Sequence, residues 1–182
     1  KEKNVSEIKN IYEKSSLNQL LLGGFIFLII WLNIDDGLAL LPEEFQGGKD
    51  VVLYIGLSKL FSVATGVNGQ IIVNSKYYRF DLYSNFILLI ITIFTNYIFI
   101  PESSPLSEYS IVGINGAAFA TALSVIIFNS LKMMYVYFKV GIQPFSFRTI
   151  KAILLIIFVY FSLIFLNLTF SDIPNMIVKS LL

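Results

Sequence analysis

Five apolar runs limit what this chain can fold into: residues 17–34, 51–73, 82–100, 111–131 and 152–170. Each is about 18–23 residues long, the length a helix needs to cross ~30 Å of hydrocarbon. A sixth run starts at 173 and stops at 182, too short to span. One such run could be a buried core helix. Five in 182 residues cannot share one aqueous core, because their outward faces are apolar too. The expected fold is therefore an all-α membrane protein. It has a lead-in at 1–16 and a polytopic transmembrane bundle over 17–182, with a truncated last span.

The connections between the runs alternate in charge. Residues 1–16 carry Lys1, Lys3, Lys9 and Lys14. The connection 35–50 carries Asp35, Asp36, Glu43, Glu44 and Asp50 against Lys49. Lys76 and Arg79 follow, then Glu102 and Glu108, then Lys139, Arg148 and Lys151, and finally Asp172. Basic connections stay cytoplasmic, which places 1–16, 74–81 and 139–151 inside and the other three outside. The expected location is a membrane, crossed several times. Within 1–16, Val5, Ile8 and Tyr12 fall at helical spacing. This fits a cytoplasmic amphipathic helix along the surface, or a solvated extension of the first span.

Composition narrows the function classes. Charged residues make up 14% of the chain and hydrophobic ones 56%, where a soluble domain has about 25% charged. The net charge is +1 and there is no basic stripe, so no nucleic-acid partner is expected. Cys and His are both absent, which removes disulfides, thiol nucleophiles, Ser–His relays and Cys or His metal sites. A carboxylate-only site stays open in principle, but no cofactor or metal is expected. The chain opens on Lys1 in a polar segment, so it reads as a fragment of something longer, without a signal peptide.

The runs are not uniformly apolar. In the second, Lys59, Ser62, Gly66 and Gln70 share one helical stripe, with Asn68 opposite. In the third, Asn85, Thr92 and Asn96 share a face. Polar side chains within a bilayer seek protein or water, so these stripes should point into a bundle. For the Asn and Thr residues, interhelical hydrogen bonds worth ~0.6 kcal/mol each are the simpler account. A lysine at a helix centre costs about 3 kcal/mol. Lys59 therefore either snorkels toward the outer surface or sits in a cavity and meets an anion.

The fourth run opens "GINGAAFATALS" and carries two rows of small residues. One is Gly113, Ala117 and Thr121; the other is Gly116, Ala120 and Ser124. Such rows let helix backbones approach closely, so both are packing candidates. In "SKYYRFDLY", Tyr77, Tyr78 and Tyr83 fit an aromatic belt, and Lys76 and Arg79 act as topology anchors.

These residues carry a resemblance. The order "VVLYIGLSKLFSVATGVNGQIIVNSKYYRFDLY", "NFILLIITIFTNYIFIP", "GINGAAFATALS" and "YFKVGIQPFS" resembles the C-terminal part of bacterial polysaccharide-export flippases. Their superfamily also contains the multidrug and toxin extrusion proteins and the lipid II flippase. The most specific piece is Asn85, Asn96, Ile100 and Pro101 followed by 113–118. The resemblance implies a partial C-terminal lobe of a two-lobed inner-membrane transporter with a central cavity. It implies flipping of undecaprenyl-pyrophosphate-linked oligosaccharides for surface polysaccharide or lipopolysaccharide biosynthesis by alternating access. Expected partners are the lipid-linked oligosaccharide, membrane lipids, the N-terminal part of the same transporter and polysaccharide polymerase machinery. No catalytic motif transfers, and the chain is not expected to be an enzyme. With a pyrophosphate as cargo, Lys59, Ser62 and Gln70 become candidate substrate contacts. The rivals are a polyprenyl-linked sugar transferase or polymer ligase, and a non-transporting membrane scaffold.

Overall fold

The computed structural model describes residues 2–165, with side chains from Val5 onward. The expectations for residues 166–170, Asp172 and the truncated sixth run lie outside the described residues. Every regular element among the described residues is helical. The helices are α1 (Glu2–Leu32), α2 (Ile34–Ala39), α3 (Lys49–Ala64), α4 (Asn68–Val73), α5 (Arg79–Phe99), α6 (Gly113–Val140) and α7 (Phe147–Phe165). Four are long and apolar enough to cross a membrane: α1 over Val5–Leu32, α5, α6 and α7. Large side chains such as Phe25, Leu89, Ile90, Phe94, Leu154 and Phe158 face outward. The chain is a multi-pass, all-α membrane bundle.

One element differs from the sequence expectation. The run 51–73 is not one helix: α3 stops at Ala64 and α4 begins at Asn68. At 16 residues α3 is about 24 Å long, short of a full crossing. The stop has a local cause. Gly66 adopts φ +63°, a left-handed conformation that glycine enters readily and that commonly ends helices. It is also pressed against Ser16 of α1, with no room for a β-carbon.

The lead-in 1–16 takes the second of its two expected forms, an extension of the first span. It runs on into the first span as one 31-residue helix. Its inner face is set by Tyr12, Ser16, Leu20 and Leu28, all buried, four or eight residues apart on one ridge. Val5 and Ile8, the other two members of the expected apolar stripe, are exposed.

The helices pack in the lateral order α5, α6, α3, α1, α7, with α4 tucked against α6 and α5. Lipid offers apolar contacts as good as another helix does, so association depends on close backbone approach and on polar pairs. On α6 the row Gly116, Ala120 and Ser124 is buried. A β-carbon on Gly116 would collide with the Phe99 carbonyl of α5. The other row points away: Gly113 has open space around it, Ala117 is half-buried and Thr121 is exposed. Phe119 of α6 meets Phe99 of α5 and Tyr54 of α3 edge to face, at 5.1 and 5.5 Å between ring centroids. At the other end of α6, Tyr135 stacks on Phe80 at 3.5 Å and meets Tyr77 edge-on at 5.9 Å.

The three basic segments meet at one end of the bundle, where Lys9, Lys76 and Lys139 line a common cleft. The acidic connection lies at the far end of α1 and α3, where Lys49 pairs with Asp35 at 2.8 Å. The chain has no native cysteine to interfere with labelling. Single cysteines at Gly47 and Gln143, both exposed, should therefore react with an impermeant maleimide from opposite faces. Reaction of both from outside sealed cells would contradict the alternation. The Gly116 contact gives a second test. Gly116→Ala should cost about 1–3 kcal/mol by overpacking, read as a lower Tm in detergent. Gly37→Ala, at a site with open space, should change little.

Candidate functional site

A helix that ends inside a bilayer leaves backbone groups that lipid cannot satisfy. Here side chains converge on the break between α3 and α4. The Thr65 hydroxyl donates to the Ser62 carbonyl at 2.8 Å and lies 3.4 Å from Asn129 Oδ1 of α6. The Asn68 amide donates to the Asn129 carbonyl at 3.4 Å, and the Asn129 amide donates back to Val125 at 2.9 Å. Thr65, Asn68 and Asn129 are all buried.

One turn further along α6 lies a buried charge that the sequence pattern does not single out. Lys132 Nζ donates to Asp81 Oδ1 of α5 at 2.7 Å. The Lys132 side chain is 9% exposed and that of Asp81 27%. The ammonium also sits 4.3 Å from the centre of the Phe128 ring, one turn back on its own helix. Asp81 lies in the first turn of α5, where the helix dipole favours an anion. Its other carboxylate oxygen accepts from Asn85 at 3.3 Å. A signal was present in the sequence: Asp81 is the lone acid in a basic connection, and Lys132 falls immediately after the run 111–131.

The expected polar stripes are rearranged. On α5, Asn85 is exposed and Thr92 and Asn96 are half-buried, whereas Ser84 and Thr95 are the buried polar residues. The Thr95 and Ser124 hydroxyls lie 2.9 Å apart across the α5–α6 seam. The stripe through Lys59, Ser62, Gly66 and Gln70 is cut by the break at Gly66. Ser62 is half-buried on α3 and Gln70 is exposed on α4. The structure therefore does not gather Lys59, Ser62 and Gln70 into one site.

Lys59 itself is exposed on the wall of an open groove between α1 and α3, not inside the described bundle. The groove encloses about 440 Å³ and is lined by apolar residues and glycines, among them Gly23, Ile26, Phe27, Ile55 and Gly56. Among the described residues Lys59 is the one charged side chain on its wall, and it makes no ion pair with any of them. A second groove of about 400 Å³, between α1, α3 and α7, carries no charge among the described residues. Among the described residues no three carboxylates gather as a metal site would require.

No family model, curated protein or solved structure matches this chain.

The buried pair yields a prediction. Lys132→Met should lower stability by about 3 kcal/mol, because it strands a carboxylate that is mostly shielded from water. The double variant Lys132→Met/Asp81→Asn should recover much of that loss. A thermal-unfolding double-mutant cycle in detergent measures the coupling. Purely additive effects would mean that the two charges do not depend on each other.

Proposed function

We propose that the chain is part of a membrane transporter that flips undecaprenyl-pyrophosphate-linked oligosaccharides across the bacterial inner membrane by alternating access. The supporting observation is the α1–α3 groove, whose described lining is apolar except for Lys59, an ammonium with no ion pair among the described residues. Such a surface suits an amphiphilic anion, with a hydrocarbon tail along the apolar wall and a phosphate at the lysine. In a low-dielectric setting a single cation interacts with phosphate far more strongly than in water. The break between α3 and α4 supplies a place where the α3 wall can tilt relative to α4, since a few residues at an element end absorb most of a hinge motion. Ser62 and Gln70 have no part in the groove.

In the intact protein, Lys59→Ala should reduce surface glycan export while Lys59→Arg keeps much of it, because a point contact to phosphate needs charge more than shape. Protein abundance is measured alongside export. Unchanged export by Lys59→Ala at normal abundance would refute the assignment. An enzyme acting on the same lipid would instead convert a labelled lipid-linked sugar in detergent, and a scaffold would leave it both unmoved and unchanged.

A further inference from the structure

We propose that the cleft at the basic end of the bundle is a binding site for the phosphate headgroup of an anionic membrane lipid. This proposal is independent of the transport reading and uses none of the Lys59 groove. Three elements separated in sequence bring one ammonium each: Lys9 from α1, Lys76 from the connection before α5, and Lys139 from the last turn of α6. They line a cleft of about 690 Å³. Three like charges around one cavity repel one another, and an anion between them removes that repulsion.

The described residues supply little of that anion. Lys9 has Glu13 at 3.7 Å on its own helix, an exposed pair of small worth. Lys76 lies over the Tyr77 ring at 5.1 Å, which leaves its charge unneutralised. Lys139 has no carboxylate within ion-pair distance among the described residues, and its place at the α6 C-terminus is favourable for a cation. Among the described residues no Asp or Glu lines the cleft.

Two further features point to lipid over a soluble anion. The rest of the lining includes Val5, Val140 and Ile142, an apolar floor that a free phosphate has no use for and an acyl chain does. The cleft also lies where headgroups are. α1 and α6 have 31 and 28 residues. At 1.5 Å per residue these helices are about 46 and 42 Å long, more than the ~30 Å hydrocarbon core. Their ends at the cleft therefore reach the headgroup layer.

The test uses the purified intact protein in a neutral detergent, titrated with short-chain phosphatidylglycerol or phosphatidylcholine and followed by thermal shift. Phosphatidylglycerol should raise Tm and phosphatidylcholine should not. Each of Lys9→Gln, Lys76→Gln and Lys139→Gln should weaken the phosphatidylglycerol response about fivefold, the worth of one basic side chain beside an anionic leaflet. The triple variant should lose it. These residues are exposed, so the variants should keep the lipid-free Tm of the parent, and Lys→Arg at the same positions should keep the response. Lys49→Gln, at the opposite end, should behave as the parent. An equal response to both lipids, or full retention by the triple Gln variant, would overturn the proposal. Competition by inorganic phosphate at low millimolar concentration would also overturn it, by showing a soluble-phosphate site.

Discussion

Inside a bilayer, every backbone group must find a partner within the protein. The break at 65–67 is the point where this rule presses hardest on the structure. α3 ends there, α4 begins there, and the freed groups need a polar neighbour. The Thr65 hydroxyl serves the Ser62 carbonyl, and α6 meets the polar side chains of the break through Asn129, which contacts both Thr65 and Asn68. α1 provides the steric half by pressing Ser16 against Gly66. The three helices are thus held in register at one level by the cost of leaving that break unattended.

From that level α6 carries polar contacts in both directions. Toward the acidic end Ser124 meets Thr95. Toward the basic end Lys132 meets Asp81. Aromatic clasps follow beyond each, Phe119 on one side and Tyr135 on the other. Small residues bring α5 close enough for the hydroxyl pair to form, as the contact at Gly116 shows. Each contact is modest, and the seam is their sum.

How much of this could be read in advance depends on which physical quantity was needed. Over their described residues, four of the five apolar runs fall on α1, α5, α6 and α7, because lipid acts on the length and hydropathy of each segment directly. The joining of segments was harder. A glycine inside a membrane run is common, so Gly66 carries no local mark of a break until Ser16 is seen beside it. Rotation was harder still. Thr92 and Thr95 are both threonines on α5, and a rotation of that helix decides which one is buried. Lys132 ends an apolar run in the sequence, and its burial depends on a carboxylate 51 residues away. At Lys59 the lysine was noticed, but the wall opposite it belongs to α1, which no inspection of the second run alone could supply.

The lateral order of the helices has a further consequence. α7, the last described helix, packs on α1, the first. Leu20 of α1 shares a buried cluster with Ala152 of α7 and Ala64 of α3, and Ile156 fills the space over Gly24. A ribosome delivers these surfaces at opposite ends of its passage along this segment. α1 enters the membrane before α7 exists, so the Leu20 and Gly24 side of α1 waits for its α7 partner while α3, α5 and α6 are inserted. Among the described helices the α1–α7 seam is therefore the last to close during biogenesis. Anything that delays α7 leaves that flank of α1 open to lipid or to another protein.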